Sequence, residues 1–124
     1  MVSRLCGDTG LSAIQQLEQF EFHHTLAETI GPALVFFSGP HCGSCRALKL
    51  ALKTLISEEE SLKVFEVDAQ QDMALAREFE VFHLPALFLF KDGQYHGPVQ
   101  SEPLPRRLRA AIRETLSRAP EEAP

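Results

Sequence analysis

Residues 34–50 read LVFFSGPHCGSCRALKL. They follow Pro32-Ala33, and residues 32–38 (PALVFFS) form a short apolar run rich in Phe and Val. Such a run is best read as a strand buried on both faces. Past the loop, Leu48, Leu52, Leu55 and Ile56 keep helical spacing, with Lys49 and Lys53 on the other side. Two cysteines, Cys42 and Cys45, stand two residues apart at that strand–helix junction. A Cys-x-x-Cys pair can shuttle electrons, hold half of a metal site or close a quiet structural bridge. The surrounding residues must decide.

Composition removes several function classes. A chain of 124 residues fits one domain with one core, and 44% hydrophobic residues are too many for a disordered chain. The formal net charge is −5 with no polybasic run, so a sequence-independent grip on nucleic acid or an anionic membrane is not expected. The longest apolar runs, PALVFF and LPALFLF, are far too short to span a bilayer. The opening MVSRLCGDTG lacks the apolar block of a secretory signal. Three cysteines do not suggest a secreted disulfide scaffold, and the expected compartment is the cytoplasm. A lone structural bridge would not persist there, which weighs against a static Cys42–Cys45 link.

The remaining pattern predicts β-α-β-α-β-α-β-β-α. Residues 1–11 read as a loose leader holding Cys6 as a bystander, 12–118 as one domain, and 119–124 as a frayed tail. A weakly alternating 11–17 (LSAIQQL) opens the domain. Phe22, Leu26 and Ile30 predict a helix over 18–30, stopped by Gly31-Pro32. Strands follow at 61–69, 85–90 and 94–100, the last two joined by the Lys91-Asp92-Gly93 turn. Asp72 is placed to cap a helix over 72–81. Pro105 opens a last helix over 104–118 with Leu104, Leu108, Ala111 and Ile112 on its inner stripe. Its five arginines are expected on a solvated outer face, and His23, His24 and His96 at the surface. The fold class is α/β: a central mixed sheet with helices on both faces, its first four strands largely parallel and a hairpin at the edge.

In such sheets, sites gather where strands end and helices begin. A helix start leaves backbone N–H groups unpaired and carries partial positive charge. A thiolate placed there is stabilised. Cys42 would be the exposed attacker, and Cys45, one turn later, the more buried thiol that resolves a mixed disulfide. His41 adds a second candidate positive charge beside Cys42.

LVFFSGPHCGSCRALKL, VFEVDAQQ and FEVFHLPALFLFKDGQ together resemble the thioredoxin family, over roughly residues 12–118. The resemblance implies the thioredoxin fold and a thiol–disulfide oxidoreductase, with Cys42 as nucleophile and Cys45 as resolving thiol. It implies a cis Pro85 facing the pair, Leu84 offering its backbone to a substrate strand, and His83 on the same face. The redox group would be the Cys42–Cys45 disulfide itself, with no organic cofactor and no metal. Partners would be disulfide-bearing proteins and a reductase or small thiol, served by a monomer. Against the family pattern, His41 replaces a Trp, Ser44 a Pro, Phe36 a buried Asp, Glu66 that Asp's Lys partner, Leu50 a helix-kinking Pro and Ser101 a Gly. A carboxylate is therefore kept, at Glu66 on the other strand, with its positive partner gone. His41, Ser44 and Glu66 are candidate modulators of the thiolates and of proton transfer. A straighter helix is expected from Leu50.

Two other readings follow from the same residues. The fold could present the Pro85 groove to one client as a binding or assembly module. Alternatively, Cys42 and Cys45 with His41 or His83 could offer ligands for Zn²⁺, although the spacing supplies only one half-site.

Overall fold

In the computed structural model, residues 14–124 are described, so Cys6 and residues 11–13 of the expected first strand lie outside the described residues. The elements are β1 (Gln15–Gln16), α1 (Phe22–Glu28), β2 (Pro32–Ser38), α2 (Gly43–Glu58), β3 (Lys63–Asp68), α3 (Met73–Glu78), β4 (Ala86–Lys91), β5 (Gln94–Val99) and α4 (Pro105–Ser117). They form one five-stranded sheet in the order β1-β3-β2-β4-β5.

β2 is the centre. Ala33, Leu34, Val35, Phe36 and Phe37 are all buried. Strand side chains alternate between faces, and here the two sets enter separate cores. Leu34 and Phe36 join Val64, Leu48, Leu52, Leu55, Leu108 and Ile112, so α2 and α4 cover that face. Ala33, Val35 and Phe37 join Phe22, Leu26, Phe65, Leu75 and Phe79 under α1 and α3. A continuous apolar run thus satisfies both layers at once, and each fully buried large side chain contributes about 1.5–3 kcal/mol.

β1, β2 and β3 are mutually parallel, but β4 runs antiparallel to β2, against the expectation of four largely parallel strands. β4 starts at the end where β2 and β3 finish. Ala86 is consequently paired with Phe37, next to the cysteine loop.

Other local expectations shift as well. α1 ends at Glu28 and Thr29 is already extended, so Ile30 leaves the apolar stripe and is exposed. Gly31 (φ 83°) then turns the chain into β2. Asp72 stands at the N-cap of α3 and is buried, yet its side chain makes no capping bond. Leu104 is the N-cap of α4 and partly exposed, while Leu108, Ile112 and Thr115 form the buried stripe. Arg109 lies against α2, bonding Glu58 and Glu59, and Arg113 reaches Glu59, so part of the arginine face ties the two helices together. His96 is buried rather than at the surface: its Nε2 donates to the Arg118 carbonyl at 2.9 Å, closing the end of α4. The Glu121 N–H donates to the His96 carbonyl at 2.9 Å, so the segment after α4 is laid along β5.

The β4–β5 turn packs on α1. Gly93 has φ 83°, and a Cβ there would meet the Ala27 carbonyl oxygen at 2.6 Å. Gly93→Ala is expected to destabilise the fold by about 2 kcal/mol or more, since the left-handed backbone alone costs about 1–2 kcal/mol; urea unfolding measures it.

Tyr95 packs against Phe79, Phe88 and Phe90. Burial first, and the nearby Glu121 carboxylate second, raise its pKa to about 12. The raised folded value means that this contribution to stability is fully present below about pH 10, the unfolded value, and is lost as pH rises through the folded one. Tyr95 is the sole tyrosine in a chain without Trp. Phenolate absorbance is therefore expected to titrate near pH 12 in the folded protein, and a midpoint at the free-tyrosine value would contradict this packing.

Candidate active site: the Cys42–Cys45 disulfide

β2 ends at Ser38, and Gly39-Pro40-His41 carry the chain to α2. A Cβ at Gly39 would meet Leu84 Cδ1 at 2.8 Å, so the loop at Leu84 packs closely on this turn and a larger residue would push that side chain aside. His41 is exposed and takes a left-handed conformation, φ 60°. Non-glycine residues adopt it at a cost of order 1 kcal/mol, His more readily than most. This turn makes Cys42 the N-cap of α2 in extended conformation.

Cys42 and Cys45 are joined in a disulfide with their Cα atoms 5.2 Å apart. The Cys45 backbone N–H donates to Cys42 Sγ at 3.1 Å. One of the orphan donors of the helix start is thus aimed at the outer sulfur. Cys42 is half-buried and Cys45 only 4% exposed. The asymmetry expected from the motif is present: one sulfur at the surface under a positive helix end, its partner behind it. α2 then runs without interruption for 16 residues, with Leu50 exposed on its outer side.

The Leu84-Pro85 peptide is cis. A groove of about 460 Å³ runs along that loop, lined by Ser44, His83, Pro85, Pro98 and Ser101 among others. Four residues singled out from the sequence, Ser44, His83, Pro85 and Ser101, therefore meet along one groove beside the disulfide. Leu84 and Phe82 line a second depression together with Gly39, Pro40 and Met73. Phe82, Met73 and Leu84 are all exposed there.

A smaller cleft of about 130 Å³ leads inward and is lined by Ser38, His41, Cys42, Cys45, Arg46, Lys49 and Glu66. Glu66 is buried at 6% exposure. Phe36 is its register partner on β2, so the two share a face under α2. The expectation that Glu66 lacks a positive partner is overturned. Lys49 Nζ stands 2.9 Å from Glu66 Oε1, Gln16 Nε2 donates to the same oxygen at 2.6 Å, and Ser38 Oγ donates to Oε2 at 2.6 Å. The cation comes from the helix rather than from the neighbouring strand. Lys49, Ser38 and Gln16 were not singled out as site residues by sequence reasoning. The one available signal is that Lys49 follows Cys45 by four residues, one helical turn.

His23 and His24 are exposed and face Glu78 and Glu28. Among the described residues, no three His, Cys, Asp or Glu side chains gather as a metal-ligand group. No helix among them is long and apolar enough to cross a membrane.

The sequence model of the family described as Thioredoxin matches residues 13–114. The chain is 33% identical over 94 residues to thioredoxin Asp f 29 of Aspergillus fumigatus, covering 74% of this chain and 84% of that protein. It is 34% identical over 82 residues to thioredoxin X, chloroplastic, of Arabidopsis thaliana, covering 65% of this chain and 45% of that protein. The match therefore takes in less than half of the plant protein and most of the fungal one. In fold it is similar to the thioredoxin of Trypanosoma brucei brucei, with TM-score 0.74 at 20% identity over 87% of this chain and 95% of that one. Thioredoxin F from spinach chloroplast gives TM-score 0.74 at 19% identity over 89% and 99%. With the mixed sheet, the cis proline and the cysteine pair at the head of α2 all in their places, the chain belongs to the thioredoxin family and is a thiol–disulfide oxidoreductase of the thioredoxin type.

Proposed function

We propose that the chain reduces or exchanges disulfides of client proteins in the cytoplasm, as a monomer, and that a reductase or a small thiol restores its dithiol. The observation that carries this reading is the unequal placement of the two sulfurs, one half-exposed at a helix N-cap and one buried behind it. In the reduced protein, the Cys42 thiolate attacks a client sulfur and expels the other client sulfur as a thiolate. Cys45 then attacks Cys42 Sγ in the mixed disulfide. The Cys42–Cys45 bond forms, the bond to the client breaks, and the client leaves with both sulfurs reduced. The two electrons come from the Cys42–Cys45 pair, and an external thiol must return them.

The groove along Pro85 is where the client chain is taken to lie. An extended segment would pair with the Leu84 backbone and set apolar side chains toward Phe82 and Leu84, in the manner of strand addition. His83 and Ser101 line or flank this seat and would select among clients; His41, which lines the inner cleft beside Cys42, would act on the outer thiolate. The loss of a large aromatic at His41 also fits a binding module with little turnover, and the same assay separates the two.

With insulin as client and dithiothreitol as reductant, the native protein is expected to reduce the disulfides catalytically. Cys42→Ser should abolish turnover, and Cys45→Ser should stall as a covalent mixed disulfide with the client. Stable non-covalent retention of a client with no turnover by the native protein would favour the binding module. In the reduced protein, Cys42 is expected to alkylate faster than a free cysteine at neutral pH, and Cys45 more slowly, because only Cys42 meets the helix N-terminus.

Ser44 is exposed in the first turn of α2, where backbone N–H groups have no helical partner to lose. A proline there would narrow the reduced loop's conformations, so closing the disulfide would order less chain. Ser44→Pro is therefore expected to make the couple more reducing when equilibrated against glutathione; a more oxidising couple would contradict it.

A further inference from the structure

The exchange cycle needs an external thiol to return two electrons to the disulfide. Two hollows serve the cysteine loop, and they share no lining residue. The Pro85 groove, about 460 Å³, is long enough for a client strand. The inner cleft, about 130 Å³, includes both cysteines in its wall and has room for one short arm of a small molecule.

We propose that the inner cleft seats the electron donor, and that the donor is a small thiol bearing carboxylates, of the glutathione class, held by Arg46. The inference rests on the exchange reading given above and names the donor which that reading left open. The guanidinium fork of an arginine matches a carboxylate with two parallel N–H donors. Arg46 directly follows Cys45 in the first turns of α2 and lines the cleft. The exposed ring of His41 adds an N–H donor at the rim. Lys49 keeps N–H donors beyond the one it gives Glu66. A neutral or cationic thiol gains nothing from this set, and a folded partner is too large to enter.

The charges around the cleft can be named element by element. α2 contributes Arg46 and Lys49, the loop His41, and β3 Glu66. Glu66 already accepts from Gln16, Lys49 and Ser38, so Lys49 matches its charge. Arg46 is exposed and forms no salt bridge among the described residues. Its positive charge is therefore the one left over. Across the Gly39-Pro40 turn, the neighbouring depression is lined by Arg77 and by no Asp or Glu; Glu80 belongs to the Pro85 groove. In a chain with 17 Asp and Glu against 12 Lys and Arg, this approach to the outer sulfur is locally cationic. Such a patch concentrates anions at a reactive centre.

Two donor molecules complete the reduction. The thiolate of the first attacks Cys42 Sγ; a donor–Cys42 bond forms, the Cys42–Cys45 bond breaks, and its electron pair leaves on Cys45, which takes a proton from water. The first donor is then held as a mixed disulfide with its carboxylate on Arg46. The thiolate of the second attacks the donor sulfur of that mixed disulfide. The donor–Cys42 bond breaks, its electron pair returns to Cys42, and the two donors leave joined as their own disulfide, oxidised by the two electrons that the protein has gained.

The test mixes the oxidised protein with glutathione or with its monoethyl ester, which has one carboxylate fewer, at equal thiolate concentration. Alkylation and mass spectrometry count the cysteines released with time. The native protein is expected to be reduced about fivefold faster by glutathione, the scale of one exposed ion pair. The preference should be full at about 0.01 M ionic strength, where charges act over about 30 Å, and fade at about 1 M, where they act over about 3 Å. Arg46→Gln should bring the two thiols to one rate. Lys53→Gln, which removes a cation of α2 outside the cleft, should keep the preference. Equal native rates for the two thiols, or a preference that survives Arg46→Gln, would overturn the proposal. So would an equal loss in Lys53→Gln, which would assign the effect to overall charge. A native protein that reduces insulin with dithiothreitol but shows no such preference loses this inference alone. One that fails to reduce insulin at all loses the exchange reading, and this inference with it.

Discussion

The burial of β2 on both faces is the constraint from which the rest follows. Its residues 33–37 belong alternately to two cores, so neither face can carry a charge without a costly desolvation. That requirement fixes the strand in the middle of the sheet, between β3 and β4. It also fixes where the strand ends, and hence where the cysteine loop and the start of α2 stand. The disulfide stands a short loop beyond this buried strand, at the start of α2.

A filled β2 has an electrostatic consequence. Phe36 fills the β2 position on that face, so the carboxylate of the face comes from β3. Glu66 reaches the same face because it is the parallel register partner of Phe36, and its neighbours there can donate: Ser38 from the end of β2 and Gln16 from β1. A carboxylate so enclosed needs a cation or full hydrogen bonding to be tolerated. It has both, the cation reaching in from α2 through Lys49. The pair is assembled across a helix and a strand, so it ties α2 to the sheet at the point where the helix presents its cysteines.

The groove side of the site depends on a different feature, the antiparallel sense of β4. β4 begins beside the end of β2, and the Leu84-Pro85 loop comes to lie against Gly39. The outer groove and the inner cleft are thus set by separate parts of the fold. One is lined by the β4 approach and β5, the other by β2, β3 and α2, and they meet at the disulfide.

The sequence by itself determined the order of elements, the two-faced strand, the cysteine pair at a strand–helix junction and the loop at Pro85. These are local patterns: period, composition and spacing express them within ten or twenty residues. The tertiary structure decided what depends on distant partners. Ile30 fits the spacing of α1 but falls beyond its end, because the turn at Gly31 draws the chain out of the helix. His96 looked like a surface residue until the end of α4 came back to its ring. The sense of β4 is set by its pairing with β2, a strand distant in sequence. Most instructive is Glu66, which was expected to have no positive partner and meets one from α2. Lys49 and Glu66 are seventeen positions apart, with no periodic relation between them. Only the packing of helix on sheet brings an ammonium and a carboxylate within 2.9 Å, and no local pattern encodes that meeting.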